Sequence, residues 1–147
     1  MADDMTVKNV QLWSLHGANR KGMLADVLEP LAAAGANLRV VMGYRHPGEL
    51  ERATVEVFPV EGAAVEAAAR KAGFAPSETA CLLVEGTDRK GLGAQISRSL
   101  SDAGISMAFL MEETVGRRFS AVIGFASRED AATAAKTIQG LPRSARK

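Results

Sequence analysis

Apolar positions recur along this chain with two different periods. The segments "NVQLWSL" (9–15) and "ACLLVEG" (80–86) alternate or run apolar over the length of a strand, and each leads to a glycine. After Gly22 the spacing changes to that of a helix, with Met23, Leu24, Val27, Leu28 and Leu31 on one face; after Gly91 the same holds for Leu92, Ile96, Leu100 and Ala103. Gly35 and Gly104 stand where such helices end in a left-handed residue, a conformation cheap for glycine. Pro30 removes one helical hydrogen bond and predicts a local kink. Period two then returns: Leu38, Val40, Met42 and Tyr44 alternate with Arg39, Val41, Gly43 and Arg45, and Met107, Phe109 and Met111 take the corresponding face later in the chain. The turn signals "HPGEL" and "VGR" lead into "ATVEVF" and "SAVIGFA", which predicts a hairpin at each place. The alanine-rich stretches "GAAVEAAARKAG" and "EDAATAAKTIQG" predict a second helix each. "FAPSETA" adds a short strand that Pro76 confines to an edge or a strand start, whereas the strand signal in "LPRSARK" nearly vanishes.

The predicted order is the same twice over. Shifting the chain by 69 residues lays Gly17–Leu38 over Gly86–Met107, with identities at Gly17/Gly86, Arg20/Arg89, Lys21/Lys90, Gly22/Gly91, Ala25/Ala94, Leu31/Leu100, Ala34/Ala103 and Gly35/Gly104. After a small gap in the hairpins the match resumes at an offset near 66. Two copies are too few for a solenoid, so the chain reads as a tandem of domains over 1–78 and 79–147. Each copy is strand, helix, strand, strand, helix, with a weaker last strand. That βαββαβ order predicts an α+β protein of two ferredoxin-like units, antiparallel sheets with helices on one face.

Composition narrows the function classes. The chain has 147 residues and a formal net charge of +1, which disfavours a basic nucleic-acid binder, an acidic disordered chain and a charge-driven membrane-surface protein. Of the 47% apolar residues, 26 are alanine, so fewer than a third of all positions carry a larger apolar side chain. Cys81 is the lone cysteine and there are two histidines, so an internal disulfide and a repeated Cys/His zinc pattern are both ruled out, and a reducing, cytoplasmic compartment is expected. The N-terminal "MADDMTVKNVQLW" lacks the features of a signal or transit peptide, and no stretch approaches 18 apolar residues.

The strongest match within the repeat is the turn from the first strand into the first helix, "GANRKGM" and "GTDRKGL". Asn19 and Asp88 are suited to cap the helix, and free backbone N–H groups at such an entrance favour a carboxylate or phosphate. A phosphate loop is excluded, because Met23-Leu24 and Leu92-Gly93 stand where it needs Lys followed by Ser or Thr. A strand, this turn, and an amphipathic helix ending in "AGANL" or "AGISM" resemble the ACT domain, whose usual turn reads Asp-Arg-Pro-Gly-Leu/Ile. The resemblance spans roughly 10–75 and 80–142; it departs at Lys21 and Lys90, where the family has proline, and at Asn19. It implies a non-catalytic regulatory module that binds an amino acid at this turn, near a seam between domains that pair side by side. The residues it implicates are Gly17, Ala18, Asn19, Arg20, Lys21, Gly22 and Met23 in the first copy, with Gly86, Thr87, Asp88, Arg89, Lys90, Gly91 and Leu92 in the second. Backbone N–H groups would hold the ligand carboxylate, with Asn19 or Asp88 accepting from its ammonium group.

Each of these residues also has a purely structural reading: glycines for a tight turn, Asn19 and Asp88 as caps, the arginines and lysines as solvated charges. A structural or protein-interaction module without a ligand is therefore the alternative. His16 adjoins the motif but faces Glu85 in the repeat, His46 reads as a loop residue, and Cys81 as a small buried hydrophobe. No nucleophile pattern, metal cluster or cofactor motif is present, so no enzyme activity, metal or cofactor is expected. The third strands, "ATVEVF" and "FSAVIGF", lack the basic-Gly-aromatic signature with which ferredoxin-like sheets stack RNA bases. Units of about 70 residues carry marginal cores, which predicts packing between the copies and a homodimer; the resemblance to a regulatory module implies a regulated protein partner.

Overall fold

The computed structural model describes residues 4–142. Its elements run in the order β1 (Thr6–Val10), β2 (Trp13–Ala18), α1 (Met23–Ala33), β3 (Val40–His46), β4 (Glu49–Phe58), α2 (Ala63–Ala72), β5 (Ala75–Pro76), β6 (Ala80–Thr87), α3 (Leu92–Asp102), β7 (Met107–Val115), β8 (Arg118–Phe125) and α4 (Arg128–Gln139). They form two four-stranded sheets, ordered β3-β4-β2-β5 and β1-β6-β8-β7, and every registered pair is antiparallel. This is the expected α+β arrangement of two ferredoxin-like units.

The first unit is Gln11–Glu78. Alternation in β2 and β4 sends Trp13, Leu15, Ala53, Val55 and Val57 to one face, where Met23, Val27 and Leu31 of α1 and Val65 and Ala69 of α2 cover them. Helix α1 runs on through Pro30 to Ala33 and closes as the glycine spacing predicts. Gly35 has φ 98°, and the Ala36 N–H reaches the Leu31 carbonyl at 3.0 Å. β5 is two residues long and pairs Pro76 with Trp13 and Ala75 with Ser14, at the sheet edge that a proline tolerates.

The second unit comprises residues 4–10 and 79–142. Leu82, Val84, Ala121, Ile123 and Phe125 of its central strands pack against Leu92, Ile96 and Leu100 of α3 and Ala131, Ala134 and Ile138 of α4. Gly104, with φ 77°, repeats the closure of α1, and Ser127 caps α4 by accepting from the Asp130 N–H at 3.0 Å. Cys81 is buried, as expected. Among the described residues no helix is long and apolar enough to cross a membrane.

Two expectations are corrected here. "NVQLWSL" is not one strand: the chain leaves one sheet at Val10 and enters the other at Trp13. Consequently the cut between 1–78 and 79–147 misplaces β1, which pairs with β6 from Thr6↔Glu85 to Val10↔Cys81. The physical reason is the weak last strand of the second copy. Leu141 and Pro142 form no strand, and "RSARK" (143–147) lies outside the described residues. The edge of β6 would otherwise present a row of unpaired N–H and C=O groups. β1 fills the place that β5 takes in the first unit, with Met5 and Val7 packed against the core below.

Candidate functional site

The two copies of the glycine turn share one backbone design. The Asn19 N–H donates to the Glu51 carbonyl at 2.7 Å and the Asp88 N–H to the Arg117 carbonyl at 2.8 Å, so each turn is tied to the hairpin of its own unit. The Met23 N–H reaches the Arg20 carbonyl, and the Leu92 N–H the Arg89 carbonyl, both at 3.2 Å. Gly22 and Gly91 then enter the helices at φ 83° and 79°, the left-handed region. The expectation that Asn19 and Asp88 cap the helices is therefore wrong. The capping positions belong to Gly22 and Gly91, neither with a side-chain bond, because the turn places residues 19 and 88 three positions upstream. The Asn19 side chain instead donates from Nδ2 to the Leu50 carbonyl at 2.9 Å, leaving Oδ1 as an acceptor.

The shared arginine has a shared partner position. Arg20 pairs with Asp26 at 2.8 Å, and Arg89 reaches Gln95 at the corresponding place as well as the Pro142 carbonyl at 3.2 Å. Lys21 and Lys90 are exposed.

In the first unit the turn opens onto a cleft of about 290 Å³ between the start of α1 and the strands β3 and β4. Four of the seven first-copy residues line it: Asn19, Arg20, Gly22 and Met23. Leu24, Ala25, Gly43, Tyr44, Arg45, Ala53, Thr54 and Val55 complete the wall. Leu24 and Ala25 lie in the first turn of α1, where backbone N–H groups have no partner within the helix. Gly17 lies outside the lining and packs against Met23 and Leu15, while Ala18 and Lys21 are exposed. In the second unit, Gly86 lies against the Met5 backbone, and the Thr87 N–H donates to the Asp4 carboxylate at 2.8 Å. Leu92 is core, as Met23 is.

Beside the cleft lies a polar network that period-two reasoning missed. On the sheet face away from the helices, Thr54 and Glu56 are only 1% and 6% exposed. The Glu56 carboxylate accepts from the Ser14 and Tyr44 hydroxyls, both at 3.0 Å. The Thr54 hydroxyl stands 2.8 Å from His16 Nδ1 and 2.6 Å from His46 Nε2; having one hydrogen, it donates to one imidazole at most. Burial, and then the nearby Glu56 carboxylate, push the Tyr44 hydroxyl up to about 12. His46, expected in a loop, is thus the last residue of β3, facing His16 across the sheet. The alternation of Tyr44 and His46 was visible in sequence; their partners on β2 and β4 depend on strand register. Among the described residues no His, Cys, Asp and Glu cluster could hold a metal.

No family model matches the sequence, and neither does any curated protein. Solved structures do match its fold. Protein BT0572 from Bacteroides thetaiotaomicron superposes with a TM-score of 0.72 at 16% identity, over 92% of this chain and 99% of that one. The regulatory subunit of aspartate kinase from Thermus thermophilus, in a ligand-free form, gives 0.62 at 17% identity, over 94% and 97%. A putative C-terminal regulatory domain of aspartate kinase from Porphyromonas gingivalis gives 0.55 at 9% identity, over 95% and 99%. The tandem fold expected from the ACT resemblance is the one these chains share.

Proposed function

We propose that this protein is a non-catalytic regulatory module that binds a small carboxylate ligand, an amino acid, in the cleft at the first glycine turn. The observation that carries the reading is what the cleft wall brings together. It holds Leu24 and Ala25 of the first turn of α1, at the positive end of the helix, with the cationic Arg20 and Arg45 and the apolar Met23, Leu24 and Val55. A carboxylate suits the first two and a short side chain the third, while Asn19 Oδ1 is free to accept from an ammonium group. The fold shared with structures described as regulatory subunits of aspartate kinase supports a regulatory role.

A thermal-shift screen against the twenty protein amino acids tests this. A ligand at 100 times its Kd adds about 2.7 kcal/mol, a rise of several degrees for a protein of this size. Asn19→Ala should weaken that ligand without lowering the Tm by more than a few degrees.

The alternative, an interaction module without a ligand, draws on a different observation. Arg20 is already bonded to Asp26 and Asn19 to Leu50, so the turn satisfies much of its own polar chemistry. A screen in which no amino acid moves the Tm would favour that reading.

A further inference from the structure

The repeat makes the two turns directly comparable, and the surroundings of the helix entrance differ. Position 24 corresponds to 93, and 43 to 112. In the first copy the helix carries Leu24 and the strand Gly43, and a Cβ at Gly43 would meet only the Leu24 methyls, at 3.7 and 3.9 Å. In the second copy the sizes are exchanged: the helix carries Gly93 and the strand Glu112. The Glu112 carboxylate lies against Gly93, where a Cβ would collide with both of its oxygens. A carboxylate of the chain itself therefore stands at the first turn of α3, where the first copy carries the apolar Leu24 side chain over Gly43.

The other flank of the turn shows the same difference. Because the N–H groups of Asn19 and Asp88 both point to the hairpin, those of Ala18 and Thr87 point the opposite way. The Thr87 N–H meets the Asp4 carboxylate, which Arg118 holds in place. In the first unit β5 pairs only with Trp13 and Ser14, so Ala18 lies beyond its end.

We propose that the two turns are unequal by construction: the first accepts a ligand carboxylate, and the second is closed by the chain's own Glu112 and Asp4, so that each chain binds one ligand. This rests on the reading of the first cleft as a carboxylate site. The shared arginine is bonded at both turns, Arg20 to Asp26 and Arg89 to Gln95. An incoming anion at the second turn meets in addition the Glu112 carboxylate and a donor occupied by Asp4; at the first it meets Arg45, whose counterpart is Thr114.

The test is an amide-resolved NMR titration of the full chain with each of the twenty protein amino acids. In the wild type, Gly22, Leu24 and Ala25 should shift and saturate at one equivalent per chain, while Gly91, Gly93 and Ala94 stay still. Glu112→Ala should bring the second set into play and raise the stoichiometry towards two, and Gly43→Glu should weaken binding at the first set at least tenfold. Saturation of both sets in the wild type, or a Glu112→Ala protein that still binds one equivalent, overturns the proposal. A ligand-free arm separates this from the function it rests on. Gly93→Ala should raise the Tm more in the Glu112→Ala background than in the wild type, because only there does the new methyl displace no carboxylate. Equal rises overturn the closure; silence of every amide towards every amino acid overturns the ligand reading instead.

Discussion

The Asp4 carboxylate accepts hydrogen bonds from Arg118 and from the Thr87 N–H, and these hold its pKa at about 2 against an ordinary 3.8. A carboxyl whose folded pKa is lowered stabilises the fold above its unfolded pKa and loses that contribution as pH falls through the folded value. The window here is 3.8 down to about 2. Asp4→Asn should therefore flatten the loss of stability between pH 4 and pH 2 in chemical denaturation, and the effect should shrink at high salt, since both partners are half exposed. Tyr44 shifts the other way. Its raised pKa favours the neutral phenol in the fold, so its contribution is present below about pH 10 and is lost as pH climbs towards 12. It is the one tyrosine in the chain, so the phenolate absorbance reports it alone. A titration midpoint near 12 is expected, falling in Glu56→Gln, where the nearby charge is gone. Backbone geometry sets the cost at Gly22 and Gly91. An alanine forced to φ near 80° costs about 1–2 kcal/mol, and each substitution should show that loss in urea melts.

The two fourth strands show how much an element depends on what it pairs with. β5 survives as two residues, because Trp13 and Phe74 bury the first unit's edge, and Arg70 lies over the Trp13 ring at 4.9 Å. The second unit has no such short strand after α4 among the described residues and takes in β1 along five residues of β6. Deleting residues 1–10 should expose that edge. Hydrogen exchange at the outward amides of β6 should accelerate while β2 and β4 stay protected, and the truncated chain should aggregate more readily. The amphipathic helices are less particular. Leu31 and Leu100 occupy the same repeat position, both fully buried, so Leu→Ala at either should cost about 2–5 kcal/mol.

For the molecule as a whole, connectivity follows from those edges. The chain begins in the second unit, builds the first, and returns, so a cut at residue 78 divides the second unit. A fragment of residues 11–78 should give a far-ultraviolet spectrum of a folded α+β unit. Residues 79–147 should fold only when a peptide of residues 1–12 is added, as circular dichroism would show. The repeat, the glycine turns, the amphipathic helices and the βαββαβ order were all legible in the chain, because periods of 2.0 and 3.6 and the left-handed preference of glycine act over a few residues. Tertiary structure decided the rest. "NVQLWSL" reads as one apolar run, and nothing local says that Val10 and Trp13 belong to different sheets; the unpaired edge of β6 makes that choice from 70 residues away. Strand register likewise brings Thr54 between His16 and His46 and sets Glu112 over Gly93. Two turns that share four of seven residues and one backbone course thus differ in what surrounds them, since a local motif specifies its own backbone and long-range pairing specifies its neighbours.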